Sequence, residues 1–151
     1  MKLRILHVGR AAGDILPALE EYIRRIGHYM DIQRIPVRPA RHLPAKKAIE
    51  AEGENLLSAA EDGSKLVALS EDGSYYNSRG FAKFLGKFRR ESRSVAFLIA
   101  GAHGHSKAVK ERAEFVLSLS PMTMQHDIAL LVLAEQIYRA MTIISGENYH
   151  K

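Results

Sequence analysis

The chain has 151 residues, 46% of them hydrophobic and 26% charged, which excludes intrinsic disorder and suits one domain, residues 1–151, with its own core. A formal charge of +5 favours an acidic partner, nucleic acid foremost, and the lack of cysteine excludes disulfides, thiolate catalysis and cysteine-ligated zinc. The opening MKLRILHVGR is broken by Arg4 and His7, and the longest apolar run, Ile128 to Ala134, is too short for a bilayer, so a soluble cytoplasmic protein without a membrane partner is expected.

Leu3 to Val8 reads as a strand. Asp14 is placed to cap a helix whose apolar positions Ile15, Leu19, Tyr22, Ile23 and Ile26 share one face, with Gly27 as its stop. Ile32, Ile35 and Val37 suggest a more exposed strand, cut short by Pro36 and Pro39. A basic, proline-marked loop, RPARHLPAKK, leads into a helix with Ile49, Leu56, Leu57 and Ala60 inward, closed by Asp62-Gly63-Ser64.

Lys65 to Ser70 is a strand apolar on both faces. Ser78 is expected to cap the next helix, with Phe81, Phe84, Leu85 and Phe88 inward and Lys83, Lys87, Arg89 and Arg90 outward. SVAFLIA forms the fourth strand, Ser106 caps a short helix, and Phe115 to Leu119 form the fifth strand. A last helix spans about Asp127 to Ser145 with Gly146 as C-cap. Apolar strands alternating with helices predict an α/β fold, a mainly parallel sheet covered on both faces. The last helix, IALLVLAEQIYRAMTII, is apolar nearly all round, which favours a second subunit against it.

Ligands of such sheets bind beyond the carboxyl ends of the strands. Three loops leave apolar strands there: Ser70 to Gly73, Ala100 to Gly104, and Ser118 to Met122. Their small or turn-forming residues let backbone amides approach a ligand. The Gly101-x-x-Gly104 spacing is not a phosphate loop, which needs four residues between its glycines and then lysine, whereas His105 follows here. His103, His105 and His126 have no carboxylate at ligand spacing, so no metal is expected. No G-x-S-x-G elbow or paired carboxylates stand out.

Six segments, KLRILHVG, EYIRRIG, EGENLL, LIAGAHGH, LSLSPMTMQH and LAEQIYRAMTIISGENYHK, together resemble the ribosomal RNA large subunit methyltransferase H family, of the SPOUT class. The resemblance covers the whole chain, and the closing YRA…YHK combination is its most specific part. It implies a C-terminal trefoil knot and a homodimer. It also implies methyl transfer from S-adenosylmethionine to N3 of a pseudouridine in 23S rRNA of the assembled ribosome.

The cofactor loops implied are Leu69, then Ala100, Gly101 and Gly104, then Leu117, Ser118, Leu119, Ser120, Pro121 and Met122. His126 and His150 are the candidates for proton removal. Tyr149 would position or stack the base, and Arg139 would anchor phosphate or the fold. Lys46, Lys47, Lys83, Lys87, Arg89 and Arg90 are expected to meet RNA phosphates. The chain departs from the family's usual pattern at Ala100 for glycine, His103 for an acid or amide, Gln125 for proline and Leu130 for arginine. Two other classes fit the same architecture: an RNA- or ribosome-binding relative without transfer, and a nucleotide-binding regulatory module.

Overall fold

Val95–Ile99, here β4, is buried at every residue because it lies inside the sheet with helices on both sides. The computed structural model describes residues Met1–Lys151. The other strands are β1 (Lys2–Val8), β2 (Asp31–Val37), β3 (Lys65–Tyr75) and β5 (Phe115–Ser118), and the sheet order is β2-β1-β4-β3-β5, parallel at every pairing. The helices are α1 (Leu16–Ile26), α2 (Ala45–Ala59), α3 (Ser78–Arg90), α4 (Lys107–Arg112) and α5 (His126–Ile144).

Alternation along the strands divides the interior in two. Leu3, Ile5, Val67, Val95, Phe97 and Ile99 pack in one core with α1, α3 and α5. Leu6, Val8, Leu66, Ala68, Ala96 and Leu98 pack in the other with Leu56 of α2 and Val109 of α4. The parallel α/β expectation holds in this three-layer arrangement.

Several local expectations are corrected. Asp14 does not cap α1; its N-cap is Ile15, and Pro17 in the first turn starts the helix with φ already set. The cap of α3 is Asn77, whose Oδ1 accepts from Gly80 N–H at 2.8 Å, while Ser78 donates to Gln136 of α5 at 2.9 Å. The strand β2 runs through Pro36 to Val37, because it is an edge strand and the missing N–H faces no partner. The buried face of α2 is Ala48, Glu52, Gly53 and Leu56, with Ile49, Leu57 and Ala60 only partly covered.

The segment Ser70 to Gly73 is a bulge inside β3, since Leu69 and Ser74 both pair with Leu117. Gly73 is required there: a Cβ would stand 2.6 Å from the Val116 carbonyl oxygen. The cap of α5 is Ser145, with Gly146 just beyond it at φ +72°. Gly146 N–H bonds to Ile143 and Glu147 N–H to Thr142, the paired bonds of a Schellman ending.

Candidate functional site

The carboxyl ends of β1 and β4 and the bulge of β3 open into a cleft of about 850 Å³, walled also by the β2–α2 loop, α2 and the segment between β5 and α5. The volume is in the range of small-molecule sites. Leu69, Ala100, Gly101, Gly104, Leu119, Ser120, Met122 and His126 line it, as do His103 and His105. Of the other expected cofactor residues, Leu117 and Ser118 are buried in β5, and Pro121 is exposed outside the lining.

The turn after β4 leaves its backbone bare for a steric reason. A Cβ on Gly101 would lie 2.8 Å from Glu52 Oε2 and 3.2 Å from Val8 Cγ1. Gly104 has φ +82° and donates its N–H to the Gly101 carbonyl at 3.2 Å, a conformation L side chains resist. His105 turns inward and donates from Nε2 to the Leu98 carbonyl at 3.1 Å. Burial pushes its pKa down to about 4, so it ties the turn to β4 as a neutral ring. Across the cleft, Ser118 Oγ donates to the Ser120 carbonyl, Met122 N–H donates to Ser120 Oγ, and Thr123 Oγ1 donates to Glu71 in the β3 bulge.

His126 opens α5. Its Nδ1 is 3.1 Å from Asp127 Oδ1, and a carboxylate accepts, so Nδ1 carries the proton of the neutral ring and Nε2 the lone pair. That Nε2 is buried without a protein partner. The ring stands 5.5 Å from the ring of His7, which is wholly buried at the end of β1. Arg34 Nη1 lies 3.1 Å from His7 Nε2, and a guanidinium only donates, so His7 is the Nδ1–H tautomer. Burial first, then the Arg34 charge and His126, lower the His7 pKa to about 4.

The terminal residues do not join this cleft. Arg139 pairs with Glu135 at 2.6 Å, its guanidinium sits 4.8 Å from the Tyr149 ring centroid, and His150 Nδ1 is 3.4 Å from Arg139 Nη1. Tyr149 also donates to Glu135 at 3.1 Å, and partial burial raises its pKa to about 12. Arg139 is thereby engaged within the fold. Leu130, at the position of the family's usual arginine, is fully buried in the larger core.

The basic residues divide likewise. Lys83, Arg89 and Arg90, joined by Arg79, rim a separate groove between α3 and α5 floored by Ala82, Gly86, Ile143 and Ile144. None of those four cations is in an ion pair of the chain. Lys87 is exposed on the same helix outside the groove, and Lys46 and Lys47 are exposed at the start of α2.

Sequence reasoning missed His7, Arg10, Arg41 and Glu52, the last three in the cleft lining. Glu52 had a signal: it falls four residues from both Ala48 and Leu56, on the face that α2 buries. The isolated arginines had none, because only the converging loops bring them together.

A family model described as predicted SPOUT methyltransferase matches residues 1–150. The chain is 43% identical over 153 residues to a protein of Anaeromyxobacter sp. strain Fw109-5 named ribosomal RNA large subunit methyltransferase H, covering 100% of both. It is 40% identical over 152 residues to the Thermus thermophilus protein of that name, covering 100% of this chain and 99% of the relative. Among solved structures, a probable methyltransferase from Bordetella pertussis Tohama I superposes with TM-score 0.58 at 14% identity, over 92% of this chain and 93% of the other. A probable methylase family protein from Haemophilus influenzae Rd KW20 gives 0.59 at 10% identity, over 99% and 70%. These two likenesses establish the fold alone.

Proposed function

The chain belongs to the SPOUT methyltransferase family, and from that premise we propose that it methylates N3 of a pseudouridine in 23S rRNA of the assembled ribosome, using S-adenosylmethionine and acting as a cytoplasmic homodimer. The observation that carries the reading is the cleft at the strand ends, with its turn kept free of side chain at Gly101. An adenosyl group fits such a wall: Leu69, Leu119 and Met122 supply apolar surface, and the bare backbone of Ala100–Gly104 supplies polar groups for the adenine edge.

When bound, the cofactor supplies a methyl group on a positively charged sulfur, the electrophile of the reaction. The protein's part is orientation and proton removal. His126 is the base of this reading: in the neutral ring, with Asp127 accepting from Nδ1–H, the lone pair lies on Nε2, which no group of the chain occupies. The converging turns would fix the angle of approach.

The cationic groove between α3 and α5 suits RNA phosphates. A partner subunit at α5 would cover Ile128, 42% exposed, and bring the Arg139–Tyr149–His150 cluster of one protomer towards the substrate of the other. Trefoil threading of the C-terminal half goes with membership of this family, and in this chain the Thr123–Glu71 bond ties the segment after β5 to the β3 bulge.

Isothermal calorimetry with S-adenosylmethionine, paired with tritiated-methyl transfer to ribosomes lacking the modification, tests the reading. Binding, transfer and N3-methylpseudouridine as product are expected, and His126→Asn should lower kcat by about 10²–10⁴-fold with Kd for the cofactor unchanged. Binding without transfer would make the chain an RNA-binding relative. Preference for another nucleotide would make it a regulatory module. Full activity in His126→Asn would remove that residue as the base.

A further inference from the structure

Glu52 is the single acidic residue among the chain's buried side chains, 8% exposed on the inward face of α2. One carboxylate oxygen, Oε1, accepts the Ala40 N–H at 2.9 Å. The other, Oε2, has no hydrogen bond within the protein and faces the space beside Gly101, where a Cβ would stand 2.8 Å from it. No lysine, arginine or histidine forms an ion pair with Glu52, and the residue lines the cleft.

Within the chain this carboxylate has a single neutral donor for about four acceptor positions and no counter-charge, and its free oxygen opens to the cleft. Fixing the β2–α2 loop does not require the charge. A neutral oxygen can also accept the Ala40 N–H, and Asn55 already donates to the Arg38 carbonyl in the same loop at 2.9 Å. The two guanidinium groups of the cleft, Arg10 and Arg41, leave the carboxylate unpaired.

We propose that Glu52 is a ligand-binding residue of the cleft, its Oε2 receiving a positively charged group of the bound methyl donor. This inference rests on the methyl-donor reading and extends it: the backbone of the turn recognises the adenosyl part by shape, and Glu52 recognises the charged part. The donor carries two cations, the amino-acid ammonium and the sulfonium, and their shared chemistry is positive charge beside a carboxylate without a counter-charge in the chain. Gly101 then has a second role, since any side chain there would displace the carboxylate from its position.

The test is calorimetry on the full chain, wild type and Glu52→Gln, with S-adenosylmethionine, S-adenosylhomocysteine and 5′-methylthioadenosine. The glutamine keeps the acceptor for Ala40 and removes only the charge, and the ligand-free variant should melt at or above the wild-type temperature. Loss of a charge-assisted bond predicts roughly 10-fold or more weakening for S-adenosylmethionine, with 5′-methylthioadenosine, which has neither cation, within about twofold. Equal weakening for S-adenosylhomocysteine assigns the contact to the ammonium, and its sparing assigns the contact to the sulfonium; either supports the proposal.

Equal weakening of all three ligands, or a lowered melting temperature with unchanged affinities, would overturn it and leave Glu52 a pin for the loop. A wild-type protein that binds none of the three would instead defeat the methyl-donor reading, and this inference with it.

Discussion

His7 and His105 are held neutral by their surroundings, each with a pKa near 4 against 6.5 for the free side chain. For His7 the leading cause is burial, followed by Arg34 and His126. For His105 it is burial, opposed by carbonyls of Leu98 and Leu69. The folded chain therefore binds fewer protons than the unfolded chain between these two values. Stability from these residues is complete above pH 6.5 and is lost as pH falls towards 4. Melting temperatures taken at roughly pH 7.5 and pH 5 should fall for the wild type, and fall less for His7→Asn and His105→Asn, because those side chains do not titrate in the interval. Equal falls in all three proteins would show that other groups govern acid sensitivity.

At the scale of elements, the packing of α2 on α4 depends on a missing methyl group. A Cβ on Gly53 would lie 2.3 Å from Ser106 Oγ, 3.0 Å from Ser106 Cβ and 3.2 Å from Val109 Cγ2. Ser106 caps α4 through Val109 N–H, so rotating its hydroxyl away would release that bond. Gly53→Ala gains about 1 kcal/mol of helix propensity but forfeits a cap of similar value and adds overpacking of about 1–3 kcal/mol. Net destabilisation is expected, read as a lower urea midpoint with unchanged slope. A raised midpoint would mean that the two helices separate freely. Capping shows the same dependence on neighbours: Asn77 and Ser78 are both suited to cap α3, and Gln136 on α5 engages the serine.

For the molecule as a whole, charged residues gather in two separate regions. The α3–α5 groove gathers Arg79, Lys83, Arg89 and Arg90 over an apolar floor, remote in composition from the cleft where Glu52 and His126 lie. Neutralising Lys83, Arg89 and Arg90 together should weaken ribosome binding. It should also lower the slope of log K against log salt by about 0.7–0.9 for each phosphate that the protein no longer neutralises. Affinity for the methyl donor should stay constant. An unchanged salt slope would place the RNA on another face, and a changed donor affinity would show that the two regions are coupled.

By itself, the sequence determined the alternation of strand and helix, the burial of VAFLI, the outward charges of α3 and the loops at the strand ends, because hydrophobic period and turn chemistry are local properties. It also carried the family resemblance, spread over many segments. Only the tertiary structure decided that Ser70 to Gly73 is a bulge inside β3, that Asn77 rather than Ser78 caps α3, and that His7 stands beside His126. It alone brought Glu52 of α2 against Gly101 after β4. Proximity between residues distant in the chain follows from the strand order and from which oxygen atoms are left without donors, and neither is encoded within a window of a few residues.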